Sequence, residues 1–155
     1  MTTPRIAIAQ TADEVRRCFP VMHELRTHIE NAEEFVDRVK RQQKQGYFLA
    51  FLAVEGEIRA VAGYRYLESL FSGKNLYVDD LVTREADRSC GFGGQLLDWL
   101  VEEARNHHCE QLELDSGVQR FDAHRFYFAK RMKISSYHFA INLKSDSSTN
   151  RKRTL

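Results

Sequence analysis

A glycine-rich stretch in the second half of the sequence constrains the fold more than any other feature. It lies between a strand-like apolar run, residues 76–83, and a helical pattern, residues 95–101. The stretch consists of Arg88, Ser89, Cys90, Gly91, Phe92, Gly93 and Gly94. Glycines allow tight turns and a close approach of the backbone to a ligand, and the first N–H groups of a helix lack intrahelical partners. A strand, a glycine-rich turn and a helix start therefore predict an anion-binding loop that suits a pyrophosphate.

Two familiar nucleotide-binding loops do not fit this spacing. A Walker-type loop ends in Gly-Lys-Ser/Thr, whereas here Gln95 follows the glycine pair. A dinucleotide fingerprint needs Gly-x-Gly-x-x-Gly near a first strand, with an acidic residue about 20 positions later. In this chain the glycines stand at positions 91, 93 and 94, and an arginine precedes them. A glycine-rich helix cap without a ligand remains the structural alternative.

The order Arg-x-x-Gly-x-Gly after an apolar strand resembles the acetyl-coenzyme A loop of the GCN5-related N-acetyltransferase (GNAT) family. A second motif strengthens the resemblance: Ala123-x-x-Phe126-Tyr127 follows the strand-like run 112–117 and is similar to the family's next motif. Both motifs occur in the family's order and spacing, and the resemblance extends over about residues 5–143. It implies a single-domain α/β fold with a mixed, mostly antiparallel central sheet flanked by helices.

The chain departs from the family pattern at two places. Arg120 stands where many members have an asparagine, which puts the usual contacts beyond the pantetheine in doubt. Arg131 and Met132 stand where the tyrosine helix often ends in Gly-Phe. The second departure removes a glycine from the helix C-cap, so we expect this helix to end by another geometry.

The resemblance also implies a set of site residues and a reaction. Acetyl-CoA is the expected acetyl-donor cosubstrate, no metal is expected, and the acetyl group passes directly to a primary amine, of a small molecule, in a ternary complex. Tyr127 corresponds to a tyrosine near the coenzyme sulfur, and Asp79 falls where many relatives place a general-base glutamate. The expected coenzyme-binding residues are the strand edge and the loop: Leu81, Val82, Thr83, Arg88, Ser89, Cys90, Gly91, Phe92, Gly93 and Gly94.

The chemistry of these side chains is consistent with such roles. A phenol has a reference pKa of about 10 and can donate a proton to a thiolate at neutral pH, so Tyr127 is the candidate acid. A core tyrosine with a local partner is the structural alternative. Asp79 and Asp80 are neighbours on a strand, and we expect their side chains to point to opposite sides. Asp79 is either the base, directly or through water, or the partner of a neighbouring cation.

We expect the other reactive side chains to have structural roles. Cys90 lies beside glycines at a helix start, where a nucleophilic role is conceivable, but we expect it to contribute only its backbone N–H. Three consecutive side chains, His107 to Cys109, diverge and do not predict a metal site. His124 is expected to make a structural hydrogen bond. The acceptor-side candidates are His23, Glu24, Arg26, His28, Tyr64 and Tyr66.

The order of elements follows from hydrophobic periodicity. The pattern predicts β-α-α-β-β-β-α-β-α-β, a mixed sheet with helices on its faces. Thr11 and Glu14 form a capping-box pattern at the first helix, and Asn31 opens the second. Gly63 indicates a bulge in the third strand.

The chain has 155 residues and a formal net charge of +1. We expect one acetyltransferase domain over residues 1–143 and a polar, disordered tail over residues 144–155. The near-neutral charge predicts neither a nucleic-acid nor a membrane partner. The sequence leaves open whether the chain forms a homodimer. The N-terminus has no apolar signal region, and three cysteines without CxxC spacing suit reduced thiols, so a cytoplasmic location is expected.

Two alternatives to a small-molecule acetyltransferase remain. One is a non-catalytic acyl-CoA-binding sensor module that retains the loop and has lost the transfer chemistry. The other is a protein lysine acetyltransferase, which is less favoured because we find no added recognition segment. The discriminating feature is whether the acceptor site is a narrow pocket or an open groove.

Overall fold

The computed structural model describes residues 2–144, which form two compact units. We call residues 2–115 the sheet unit and residues 116–144 the C-terminal unit. None of the helices within these residues combines the length and apolar content that a membrane crossing requires.

The sheet unit contains five strands and three α-helices in the order that the hydrophobic pattern predicts. The strands are β1 (Arg5–Ile8), β2 (Tyr47–Val54), β3 (Glu57–Ser69), β4 (Gly73–Thr83) and β5 (Gln111–Leu114). The helices are α1 (Ala12–Leu25), α2 (Ala32–Gln43) and α3 (Phe92–Asn106), and a single 3₁₀ turn, Glu85–Asp87, precedes α3. The predicted capping box is confirmed, because the Glu14 N–H donates to Thr11 Oγ1 over 3.1 Å.

The strands lie side by side in sequence order, β1-β2-β3-β4-β5. Neighbouring strands from β1 to β4 are antiparallel, whereas β4 and β5 are parallel and are connected through α3. The sheet is therefore mixed and mostly antiparallel, and the predicted α/β fold class is confirmed.

Helices cover both faces of this sheet. Leu49 and Phe51 of β2 pack in one buried cluster with the apolar sides of α1 and α2. Successive strand side chains point to opposite faces, so Ala50 and Leu52, both fully buried, lie on the other face. That face is covered by α3, whose Trp99 contacts Tyr64 of β3 edge to face with ring centroids 6.2 Å apart.

A bulge interrupts the pairing of β3 with β4. Gly63 lies opposite Asp80, but the next residue, Tyr64, lies opposite Val78, so Asp79 is an extra residue in β4. The register shift falls at Gly63 as predicted, but the extra residue lies in β4 and not in the third strand, so the prediction was right about the position and wrong about the strand. An extra residue changes where the following side chains point, and this local change shapes the candidate site.

The C-terminal unit contains one helix, α4 (Phe121–Ala129). The helix ends with Arg131 in the left-handed region at φ 63°. The Met132 N–H donates to the Tyr127 carbonyl and the Arg131 N–H to the Phe128 carbonyl, which is the Schellman pattern. Our expectation of another geometry was wrong: arginine occupies the position that usually belongs to glycine.

The final strand that the hydrophobic pattern predicts is absent from the described residues. After α4, residues 133–144 belong to no strand of the sheet. A strand acquires its backbone hydrogen bonds only from a neighbouring strand, so apolar alternation alone does not suffice. The predicted tail, residues 144–155, lies outside the described residues except for Lys144.

Candidate functional site

The glycine-rich loop leads directly into α3. The helix begins at Phe92, three residues earlier than the sequence pattern predicts, so Gly93 and Gly94 lie in its first turn. Gly91 is the N-cap residue and has a left-handed conformation at φ 82°. A β-carbon at Gly91 would meet nothing within 4 Å, so glycine is needed here for its conformation, and the space beside it is open.

The N-terminus of α3 carries no protein cap. Among residues 2–144, no side chain accepts a hydrogen bond from its first turn, and its first turn contains no acidic residue. The first N–H groups of the helix therefore point their partial positive charge at the open side of the loop. Arg88 is exposed and has no ion-pair partner among residues 2–144. The loop thus combines unpaired N–H donors with an available cation, which is what an anion requires.

Asp87, just before the loop, holds the loop in place through ion pairs. It is buried, and its carboxylate accepts from Arg59 Nη1 over 3.0 Å and from Arg84 Nε over 2.6 Å. The hydrogen bond from Arg84 is the main cause that lowers the pKa of the Asp87 carboxyl, so this group stays ionised. The Asp87 carbonyl accepts from the Cys90 N–H over 3.2 Å. The exposed loop is therefore attached to an ion-paired buried residue.

The predicted strand edge is open on one side. Leu81, Val82 and Thr83 pair with β3, but the pairing of β4 with β5 ends where Val78 lies opposite Leu114. Beyond that point β4 continues for five residues, and no strand of the described part of the chain pairs with its second edge there. This edge can accept an extended ligand through backbone hydrogen bonds.

The two neighbouring aspartates enter one hydrogen-bonded network. Asp79 Oδ2 accepts from Arg65 Nε over 2.8 Å, and Asp80 Oδ1 accepts from Arg26 Nε over 2.8 Å. Arg26 also donates to the Asp79 carbonyl over 2.8 Å. The Tyr47 hydroxyl donates to Asp80 Oδ2 over 2.7 Å, and the guanidinium of Arg65 lies 5.5 Å from the centroid of the Tyr47 ring.

The expectation that Asp79 and Asp80 point to opposite sides is not met. Strict alternation applies to a regular strand, whereas the bulge at Asp79 interrupts it. Burial raises the pKa of the Asp79 carboxyl above its ordinary value, and the contacts with Arg65 oppose that rise. Asp79 is thus a partly exposed carboxylate that is easier to protonate than an ordinary aspartate.

Sequence reasoning missed two members of this network, Tyr47 and Arg65. They lie directly opposite each other in the β2–β3 pair. Burial and the neighbouring Asp80 raise the pKa of the Tyr47 phenol, so it remains a hydrogen-bond donor. Counting back from the Glu55-Gly56 turn would have placed Tyr47 opposite Tyr64, because the register of the two strands shifts by one residue between Leu52 and Ala53. No local signal therefore indicated this pair or its contact with the aspartates.

Tyr127 belongs to the C-terminal unit. It is half-buried on α4, and its hydroxyl makes no hydrogen bond with residues 2–144. Burial raises the pKa of the Tyr127 phenol, and the nearby charge of Arg120 opposes that rise. The phenol is therefore protonated at neutral pH. His124 Nε2 lies 2.8 Å from the Gly117 carbonyl, in agreement with a structural role.

Three of the remaining acceptor-side candidates, Glu24, Tyr64 and Tyr66, make contacts within the protein. Glu24 accepts from the Glu85 N–H over 2.7 Å and so supports the turn before the loop. Tyr64 is only 1% exposed and belongs to the core. Tyr66 stacks on His107 with ring centroids 4.5 Å apart.

Cys90 is exposed on the loop. Within residues 2–144 no three His, Cys, Asp or Glu side chains are grouped so as to hold a metal ion.

Comparison with known proteins agrees with this geometry. A model described as the acetyltransferase (GNAT) family matches residues 8–132. The uncharacterized N-acetyltransferase YhdJ of Bacillus subtilis is 39% identical over 129 residues, which cover 82% of this chain and 90% of that protein. The aminoalkylphosphonate N-acetyltransferase of Salmonella typhimurium is 40% identical over 62 residues, 40% of either chain.

Solved structures share the fold. The aminoglycoside N-acetyltransferase AAC(6')-Iy, crystallised in complex with CoA, superposes with a TM-score of 0.79 over 94% of this chain and 97% of its own. Its sequence is 10% identical, so this likeness concerns the fold alone.

Proposed function

Since the chain belongs to the acetyltransferase (GNAT) family and is an N-acetyltransferase, we propose that it transfers the acetyl group of acetyl-CoA to a primary amine of a small molecule. Transfer is direct, with donor and acceptor bound together. The family uses acetyl-CoA as the acetyl donor, and the open loop at the start of α3 is the observation that carries the proposal.

The loop and the strand edge provide complementary contacts for a coenzyme. In this proposal the N–H groups of Phe92, Gly93 and Gly94 bind the pyrophosphate, and Arg88 adds a positive charge. The extended pantetheine arm lies along the β4 edge at residues 81–83 and receives backbone hydrogen bonds. The uncapped helix start and the unpaired edge support these assignments because each offers polar groups that need partners.

The transfer step requires proton movements at two positions. The neutral amine attacks the thioester carbonyl carbon, a C–N bond forms, the C–S bond breaks and the thiolate departs with the electron pair. Asp79 is proposed to take the proton from the ammonium before attack, directly or through water, and Tyr127 to donate a proton to the departing thiolate. The proton that the nitrogen loses as the amide forms then restores the Tyr127 phenol through water. Holding amine and thioester together contributes up to about 7–11 kcal/mol in favourable models.

The acceptor class rests on two observations. Asp79 is a partly exposed carboxylate, and a negative charge attracts the ammonium form of an amine. The Salmonella relative is named for a small amine that also carries a phosphonate, and it matches 40% of this chain. The charge of Asp79 suits any ammonium, and the name of the Salmonella relative is the reason that we propose a small amine rather than a lysine of a folded protein.

Calorimetry with CoA tests the loop. Gly91→Val places a β-branched residue in the left-handed region, so we expect at least about a tenfold loss of affinity, about 1.4 kcal/mol. Gly91→Asn is the matched control, because asparagine tolerates that conformation. Equal affinities for parent, Gly91→Val and Gly91→Asn in folded proteins would remove the loop from the coenzyme site.

Salt dependence tests Arg88. Arg88→Ala should weaken CoA binding more at low salt than at high salt, because salt screens an exposed charge. Arg105→Ala, at the other end of α3, removes an exposed arginine that pairs with Glu102 and serves as the control. An effect of Arg88→Ala that is the same at all salt concentrations would argue against a phosphate contact.

A thiol-release assay with a panel of amines tests the reaction itself. We expect CoA release with at least one class of small primary amine and little release with lysine peptides. CoA binding without release across the panel would favour the sensor module, and a preference for peptides would favour a protein acetyltransferase.

A further inference from the structure

Arg26 is held beside the bulge in β4 with one of its nitrogen donors unused. It is the C-cap residue of α1, and its side chain is 40% exposed. Its Nε donates to Asp80 Oδ1 and its Nη2 to the Asp79 carbonyl, each over 2.8 Å. None of the residues 2–144 accepts a hydrogen bond from its Nη1. Two contacts therefore fix the plane of the guanidinium, and Nη1 can donate to a ligand.

The neighbouring carboxylate of Asp79 has one oxygen unused. Its Oδ2 accepts from Arg65 Nε over 2.8 Å, and within residues 2–144 no group donates to its Oδ1. Both oxygens of Asp80, by contrast, have partners, because Arg26 donates to Oδ1 and Tyr47 to Oδ2. Asp80 is thus fully engaged within the protein, whereas Asp79 keeps a free acceptor on a side chain that is 24% exposed.

The free donor and the free acceptor lie near each other. The guanidinium of Arg26 binds the main-chain carbonyl of Asp79 itself, so only covalent distances within one aspartate and one guanidinium add to the 2.8 Å of that hydrogen bond. These distances place Arg26 Nη1 within roughly 10 Å of Asp79 Oδ1. Burial is the main cause that raises the pKa of the Asp79 carboxyl, and the positive charge of Arg26 is among the causes that oppose the rise. A small molecule can therefore reach both groups at once.

The charges of this network balance. The guanidiniums of Arg26 and Arg65 pair with the carboxylates of Asp80 and Asp79. A ligand with an ammonium alone would leave an extra positive charge in a partly buried site, and a ligand with an anion alone would leave an extra negative charge. Such a charge is costly where little water reaches it. A ligand that carries both groups preserves the balance and offers each free atom a partner of opposite charge.

We propose that the acceptor is an amine with an anionic group, a carboxylate or a phosphorus oxyanion, a few bonds from its nitrogen. Arg26 Nη1 binds the anionic group, and Asp79 Oδ1 accepts a hydrogen bond from the nitrogen. Arginine suits both kinds of anion, because its N–H donors lie in a fixed plane. This inference rests on the proposed function, since it assigns a chemical class of acceptor to the proposed acetyl-transfer site.

Matched amines and the parent protein give the first test, which does not depend on the folding of any variant. In the thiol-release assay, β-alanine and aminoethylphosphonate are compared with β-alaninamide, which has the same chain length and no anionic group. Rates are taken per concentration of unprotonated amine, so that the different basicities of the amines do not affect the result. We expect kcat/KM to be at least about tenfold higher for one or both anionic amines, as one charge-assisted hydrogen bond provides. The larger ratio identifies the kind of anion that the site accepts.

Arg26→Gln gives the second test. It removes the guanidinium, so the ratio of kcat/KM for the preferred anionic amine to kcat/KM for β-alaninamide should fall at least about tenfold. Arg17→Gln is the matched control, because Arg17 is also an arginine of α1 but donates to the Gly56 carbonyl over 2.6 Å. This control should keep the parent ratio. Circular dichroism checks that both variants are folded.

Three results would contradict the proposal in different ways. CoA release with equal kcat/KM for the anionic amines and β-alaninamide would overturn the acceptor class and leave acetyl transfer to amines standing. A folded Arg26→Gln protein that keeps the parent ratio would overturn the role of Arg26. No CoA release with any amine of the wider panel would overturn the proposed function, and the acceptor class with it.

Discussion

Gly63 is the position at which a single methyl group should damage the candidate site most. A β-carbon there would lie 1.8 Å from Tyr47 Oη, 2.3 Å from Tyr47 Cζ and 2.5 Å from Asp80 Oδ2. Normal contacts between carbon atoms are about 3.5–4.0 Å, so the Tyr47 ring must move by more than about 1 Å. Its hydrogen bond with Asp80, 2.7 Å long and partly buried, would then break.

The expected cost of Gly63→Ala combines two effects. Forcing an extra carbon into a packed core costs about 1–3 kcal/mol. Leaving a buried polar group without its partner costs about 1–3 kcal/mol more. We expect a loss of about 4 kcal/mol in the free energy of unfolding, measured by urea denaturation, and a decrease of about 10 °C in Tm.

A double-mutant cycle identifies the cause. Tyr47→Leu removes the two tyrosine atoms nearest to the new methyl group, so Gly63→Ala should cost much less in that background. Gly56→Ala is the control for backbone strain, because Gly56 has φ 80° and open space beside it, and should cost only about 1–2 kcal/mol. A Gly63→Ala protein as stable as the parent, or an unchanged cost in the Tyr47→Leu background, would refute this reasoning.

Three further predictions concern the catalytic candidates and the end of α4. Tyr127→Phe removes only the hydroxyl, and we expect kcat to fall about 100-fold or more with unchanged CoA affinity by calorimetry; equal turnover would exclude Tyr127 as the acid. Burial raises the pKa of Asp79, and a base acts only when deprotonated, so activity should rise with pH through that pKa. Asp79→Asn should abolish this limb of the kcat/KM profile, whereas the exposed Asp37→Asn should retain it. Arg131 has a left-handed conformation at φ 63°, which glycine adopts without strain. Arg131→Gly should therefore raise the free energy of unfolding by about 1 kcal/mol in urea denaturation. A lower free energy of unfolding would show that Arg131 is not strained.

The sequence was sufficient to predict the elements of the sheet unit because their signals are local. The capping box at Thr11 and the N-cap at Asn31 each depend on residues within a few positions of one another. Both the order of elements up to α4 and the glycine-rich turn before α3 follow from such signals.

The site network could not be predicted in the same way. Tyr47, Arg65 and Asp80 meet across three strands, and their contact depends on a one-residue shift in register. Periodicity assigns a residue to a face only while the strand is regular, and a bulge removes that regularity. The prediction of a final strand after α4 was wrong for a related reason. A strand needs the edge of a neighbouring strand for its hydrogen bonds, and apolar alternation in the sequence does not show whether such an edge is available.

The arrangement of the strands also has a consequence for the order of folding. Strands that are neighbours in the sheet are consecutive in the chain, and β2, β3 and β4 are joined by turns alone. Closing short loops costs little conformational entropy, so we expect this meander to form early. β1 and β5 join only after the intervening helices have formed. The parallel pairing of β5 must wait for the whole of α3, which makes the outermost edge of the sheet one of the last parts of the chain to become native.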